Sequence, residues 1–148
     1  MTEEYVRRIM YVVENVAREL KAPITRSDYY LEDMGCPHQQ PSRLPAGSGA
    51  VYIFSYGDEI LKIGKVNVNS SARFSSQHYG FNSRSTLAKS ICKDKAFIAM
   101  GVTKDNVKSW MLQNIHRINI YIRDNRASTE LVECIFHYAM RPKYEGNL

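Results

Sequence analysis

The stretch AVYIFSYGDEILKIG, residues 50–64, holds two apolar runs around a polar turn and predicts a β-hairpin. Tyr52 and Lys62 stand ten residues apart within it. Side chains alternate along a strand, so the turn decides whether these two share a face. A three-residue loop, Gly57-Asp58-Glu59 with Tyr56 opposite Ile60, puts them on one side. A two-residue Gly57-Asp58 turn pairs Tyr56 with Glu59 and puts Lys62 on the other side, outside any site built on Tyr52.

Upstream, residues 3–20 place Tyr5, Val6, Ile9, Met10, Val13, Val16 and Leu20 on one helical stripe, and Pro23 limits the helix. SDYYLEDMG predicts a short helix with Ser27 as cap and Gly35 as terminator. CPHQQPSRLPAGSG, residues 36–49, reads as an extended connection. Downstream, Asn69 or Ser70 caps a short helix ending near Gly80, and residues 83–94 form another. KAFIAMGV (95–102) reads as a buried strand and TKDNVKSWMLQNI as a helix. RINIYIRD alternates strictly and predicts a strand with Ile118, Ile120 and Ile122 on one face. Ser128 caps a last helix, stopped before Pro142. Its apolar face takes Leu131, Val132, Cys134, Ile135, Tyr138 and Ala139, with Phe136 and Met140 at the edge. Glu133 falls at the border of that face and His137 one turn along, so a carboxylate there is oriented by the core yet reaches solvent.

The 148 residues carry a net charge of +5, unevenly spread. Residues 1–45 hold six Lys/Arg against seven Asp/Glu, and residues 46–148 hold fourteen against eight. The basic second part points to nucleic acid through phosphate contacts. Three scattered cysteines with no C-x-x-C pair read as free thiols. Cys36 and His38 could supply two metal ligands, but no partner pair is visible. No apolar run reaches the ~18 residues that would span a membrane. The N-terminus lacks the features of a signal peptide, and the expected location is cytoplasmic.

AVY (50–52), KIG (62–64), SARF (71–74) and VECIFHYAMRPKYEGN (132–147), in that order, resemble the GIY-YIG nuclease superfamily over roughly residues 48–147. Tyr52 matches the first motif tyrosine, and Ala50 replaces the first glycine. Lys62 stands where the second motif has tyrosine, as in some restriction enzymes of the superfamily, and Gly64 matches its glycine. Arg73 matches the helix arginine and Glu133 the metal-binding glutamate. Pro142 lies nine residues beyond Glu133, and Asn147 or Glu145 fills the slot of the terminal asparagine. His78 lies near the position of a histidine in some members, and His137 is the other candidate.

The resemblance implies an α/β (α+β) fold. A small, mainly antiparallel three-stranded sheet is flanked by helices, with one more strand possible. Residues 1–47 form an N-terminal helical extension with an extended connection, and residues 48–148 the nuclease domain. It implies a divalent-metal-dependent endonuclease acting on DNA, preferably double-stranded, with a restriction- or defence-related role and a possible homodimer. Glu133 would hold Mg²⁺ or Mn²⁺, and Arg73 would brace the phosphate oxygens. Tyr52 or Lys62 would take the proton from water. Lysine is a poor base unless desolvated or beside another cation, for which Arg73 is a candidate. Arg84, Lys89, Lys93 and Lys95, together with Lys65, could track a phosphate backbone or simply face solvent. Tyr29, Tyr30, Tyr56 and Tyr79 could stack on bases, although each alone reads better as packing. The rival functions are a catalytically inactive nucleic-acid-binding module of the same fold and a protein-interaction domain.

Overall fold

A computed structural model describes residues 1–123 and 125–144. Four strands, β1 (Tyr29–Gly35), β2 (Ser48–Tyr56), β3 (Glu59–Val66) and β4 (His116–Arg123), form one antiparallel sheet in the order β1-β4-β2-β3. The sheet therefore has four strands where three are expected. Helices α1 (Glu3–Glu19) and α6 (Arg126–Met140) cover one face. The short helices α2 (Ser71–Ser75), α3 (Leu87–Lys93), α4 (Lys95–Ala99) and α5 (Val107–Asn114) cover the other.

Thr2 caps α1 by accepting the Tyr5 N–H at 3.2 Å, and Val6, Ile9, Met10, Val13 and Ala17 are its buried residues. Tyr5 and Leu20, expected on that stripe, are 42% and 66% exposed. Val51, Ile53, Ile63, Ile118, Ile120 and Ile122 meet α1 and α6 from the sheet. On α6 the buried residues are Thr129, Val132 and Phe136, while Cys134 is exposed and Tyr138 is 77% exposed. The apolar face is thus rotated from the predicted one and centred on Val132 and Phe136, with Glu133 beside it. The cap is Asn125, whose side chain accepts the Ser128 N–H at 3.1 Å, and not Ser128.

Two further elements differ from expectation. SDYYLEDMG is not a helix. Thr25 and Asp28 close a single 3-10 turn, and Tyr29 to Gly35 then pair with β4. Aromatic and branched residues suit an available sheet edge, and that edge is supplied by a strand almost ninety residues downstream. KAFIAMGV is not a strand. Asp94 accepts the Ala96 N–H and starts α4, and Gly101 at φ +85° ends the turn that follows. Only Phe97 and Val102 are buried there, while Ile98 and Met100 are about half exposed.

The hairpin turn is the two-residue one, with Tyr56 opposite Glu59. Lys62 nevertheless stays on the Tyr52 face. The register shifts between Phe54 and Ser55, so that Ser55 faces Ile60 and Phe54 faces Lys62. Leu61 is the extra residue of a β-bulge, and its insertion restores the facing that the short turn would have reversed. After α6, the Lys143 N–H donates to the Ile60 carbonyl and the Tyr144 N–H to the Leu61 carbonyl, both at 2.9 Å. The segment beyond Pro142 thus covers the outer edge of β3 at the bulge.

Arg117 of β4 is fully buried. Its Nε donates to Asn119 Oδ1 at 2.8 Å, Nη1 to the Tyr79 hydroxyl at 3.1 Å and Nη2 to the Phe74 carbonyl at 2.8 Å. Its Cζ lies 4.7–5.9 Å from the ring centroids of Phe74, Phe54, Tyr52 and Tyr79. Asn119 in turn donates to Glu32 at 2.9 Å, which relays the nearest anionic character in this network to the cation. Arg117→Lys keeps the charge but not the planar fork, and is expected to cost about 3 kcal/mol in urea unfolding. A cost below about 1 kcal/mol would show that charge alone suffices there.

Candidate active site

Tyr52 sits at the centre of β2, opposite Gly64 on β3 and Asn119 on β4. Its phenol lies across Gly64. A Cβ at residue 64 would fall 2.6 Å from Tyr52 Oη and 2.7 Å from two ring carbons. The glycine thus leaves room for the ring and hydroxyl of Tyr52 to lie against the edge strand. Phe54, Phe74 and His78 hold the ring with centroids 5.8, 6.3 and 5.1 Å away.

His78 comes from the 3-10 turn Gln77–Tyr79 after α2, and its Nε2 is 2.8 Å from Tyr52 Oη. Its Nδ1 accepts the Leu87 N–H at 3.3 Å. Burial, then the charges of Arg73, Lys62 and Arg117, push its pKa down to about 3, so the ring is neutral near pH 7. A neutral imidazole that accepts at Nδ1 carries its proton on Nε2. His78 therefore donates to Tyr52, and the Tyr52 O–H points its own hydrogen elsewhere. Burial raises the phenol to about 12, against the Arg73 and Arg117 charges and the hydrogen bond from Arg73 that favour the phenolate. The Glu133 charge adds to the upward shift, which places Tyr52, Arg73 and Glu133 within electrostatic reach of one another.

The structure thus gathers Tyr52, Lys62, Arg73, His78 and Glu133 around one sheet edge. Lys62 is 5% exposed. Glu133 Oε2 is 3.6 Å from Lys65 Nζ, and Oε1 is 3.8 Å from His137 Nε2. Among the described residues no group of three or more His, Cys, Asp or Glu could hold a metal ion. Glu133 supplies one oxygen ligand at a partly exposed rim, which suits a hard cation that keeps most of its waters. His137 Nε2 is buried without a hydrogen bond among the described residues, so a nitrogen donor beside Glu133 is unclaimed. This donor pair fits a single divalent ion. Asn147 and Glu145 lie outside the described residues.

The proposed DNA-tracking cations are divided. Arg84, Lys93 and Lys95 are exposed. Lys89 Nζ donates to the Ser83 carbonyl at 2.5 Å, and Lys65 is drawn to Glu133. Of the tyrosines, Tyr79 is buried, Tyr56 packs on Phe97 and Trp110, and Tyr29 donates to Glu14. Tyr30 is 52% exposed and stacks on Tyr121. Cys36 and His38 make no joint metal site, because both His38 nitrogens are taken by the Ile115 carbonyl and the Tyr79 hydroxyl.

Sequence reasoning missed Arg117, its partner Asn119 and, beyond that, Glu32, and it gave Tyr79 and His38 other roles than the places in this network that they occupy. The signal was the second face of RINIYIRD, where Arg117, Asn119 and Tyr121 alternate with the isoleucines. No family model matches the chain, and neither the curated proteins nor the solved structures include a match to it.

Two outcomes follow from this geometry. Gly64→Ala forces the Tyr52 ring off the strand and is expected to cost about 1–3 kcal/mol, with a changed near-ultraviolet tyrosine signal. An unchanged spectrum and stability would place the ring elsewhere. His78 titrates near 6.5 when unfolded and about 3 when folded. Its stabilising contribution is complete above pH 6.5 and is lost as pH falls from there towards 3. Urea stability of His78→Gln should therefore fall less steeply across that window than that of the parent protein.

Proposed function

We propose that the protein is a divalent-metal-dependent endonuclease of the GIY-YIG type that hydrolyses phosphodiester bonds in DNA. The observation that carries this reading is the concentration of Arg73 and Arg117 charge around one buried tyrosine hydroxyl, with the Glu133 carboxylate in reach. Two cations against one local carboxylate suit an anion whose charge grows during reaction. The order of the elements supports the same reading. Tyr52 and Gly64 face each other in the hairpin, Arg73 follows on α2, and Glu133 lies on a later helix.

Arg73 would brace the non-bridging phosphoryl oxygens through its planar fork. Tyr52 would donate its free O–H to the attacking water or to a phosphoryl oxygen, held in direction by His78 behind it. A phenol raised to about 12 is a poor base near neutral pH. His78 has neither nitrogen open to a proton, since Nδ1 accepts from Leu87 and Nε2 is already protonated. Of Tyr52 and Lys62, this leaves Lys62 as the proton acceptor, a role a lysine fills only as its neutral amine. A Mg²⁺ or Mn²⁺ ion on Glu133, with His137 beside it, would supply charge for the phosphoryl and leaving oxygens. A double-strand cut by one such site per chain would call for a homodimer or sequential nicks. A restriction- or defence-related role fits the lysine at position 62.

The test incubates supercoiled plasmid with the protein and Mg²⁺ or Mn²⁺. Cleavage is expected, with Glu133→Ala and Arg73→Ala each reducing it by about 100-fold or more. Lys62→Arg keeps the charge but cannot take a proton, and is expected to be as inactive as Lys62→Met. Cleavage retained by Lys62→Arg would make Lys62 a charge rather than a base. Salt-sensitive binding without cleavage, unchanged by Glu133→Ala, would point to a silent binding module. No binding at low salt would point to a protein-interaction domain.

A further inference from the structure

Glu133 and His137 stand one turn apart on α6, so their side chains leave the helix on the same side. His137 Nε2 is buried and makes no hydrogen bond among the described residues. Its separation from Glu133 Oε1, 3.8 Å, is too long for a hydrogen bond. Bonds of about 2.0–2.2 Å from each donor nevertheless meet at a point between atoms this far apart. Lys65 approaches the other carboxylate oxygen, Oε2, so Oε1 is the oxygen turned towards the imidazole.

We propose that His137 is the second protein ligand of the cation held by Glu133, and that this nitrogen–oxygen pair favours a first-row transition-metal ion over Mg²⁺. The inference rests on the reading of Glu133 as a cation ligand and goes beyond it by naming the partner and the class of metal. Mg²⁺ and Ca²⁺ prefer all-oxygen surroundings, whereas imidazole suits later first-row divalent ions. Lys65 opposes the site. Its ammonium, 3.6 Å from the ligand carboxylate, repels an incoming cation and competes for Glu133.

Co²⁺ is the probe, because its paramagnetism marks the residues that bind it. The full chain is titrated with Co²⁺ and, separately, with Mg²⁺, while the imidazole resonances of the four histidines are followed by NMR. The His137 ring should be shifted or broadened first, by one ion per chain, and Co²⁺ should bind at least ~tenfold more tightly than Mg²⁺. Calorimetry should show His137→Gln weakening Co²⁺ binding by ~tenfold with little effect on Mg²⁺, and Glu133→Gln abolishing both. Lys65→Met should tighten binding, which a purely structural role for these side chains would not produce. Co²⁺ binding by His137→Gln equal to that of the parent overturns the proposal. So does an unperturbed His137 ring at saturation, or Mg²⁺ binding as tight as Co²⁺. The NMR titration of the unsubstituted chain decides the matter even where a variant misfolds. Tight Co²⁺ binding at His137 without plasmid cleavage would sink the nuclease reading and leave the metal pair standing.

Discussion

The buried guanidinium of Arg117 is the constraint on which the rest of the structure turns. A cation taken out of water must be compensated at every donor, or the cost runs to several kcal/mol. Here compensation comes from an amide, a phenol, a backbone carbonyl and the faces of four aromatic rings. Those partners belong to β2, α2, the turn after it and β4 itself. The Tyr79 hydroxyl passes the chain of bonds to His38 in the connection before β2. Asn119 passes it to Glu32 on β1. One arginine thus fixes the helical layer on the sheet and brings the N-terminal connection and edge strand into the same network.

The same network sets the chemistry of the edge. Arg117 cannot touch a ligand, yet its charge favours the neutral form of His78 and moderates the rise of the Tyr52 phenol. The neutral, Nδ1-accepting imidazole then dictates which way the Tyr52 proton faces. A buried structural cation and the Tyr52 hydroxyl are therefore linked through polarity rather than through a direct hydrogen bond. Such buried polar networks stay uniquely ordered only when every member is satisfied.

Much of this was legible in the chain because it is local. The stripe on α1, the hairpin, the isoleucine face of β4 and the final helix follow from periodicity and turn chemistry. What was not legible depends on distant partners. Residues 29–35 are a strand because β4 offers an edge, and nothing within SDYYLEDMG says so. Residues 95–99 are helical because one carboxylate caps them, despite an apolar run that reads as buried. Of the candidate site, Tyr52, Lys62, Arg73, His78 and Glu133 converge. Arg117 stayed hidden because an alternating strand draws attention to its apolar face, while here the polar face is buried as well. Lys62 turned on a feature that no rule of turn length contains, a single inserted residue in the ladder.

That inserted residue changes how spacing should be counted. Between Tyr52 and Lys62 the number of intervening residues is even or odd only as a matter of bookkeeping; what the site senses is parity of facing, and the bulge at Leu61 flips it back. A chain lacking one residue there, or one with a regular ladder and a three-residue loop, would present the same pair of side chains to the same space. The carbonyls of Ile60 and Leu61, held by Lys143 and Tyr144, make that parity a property of the sheet edge and the segment lying on it together. Two sequences whose motifs disagree by one position can therefore be geometrically equivalent, and two whose motifs align without a gap can be mirror-faced.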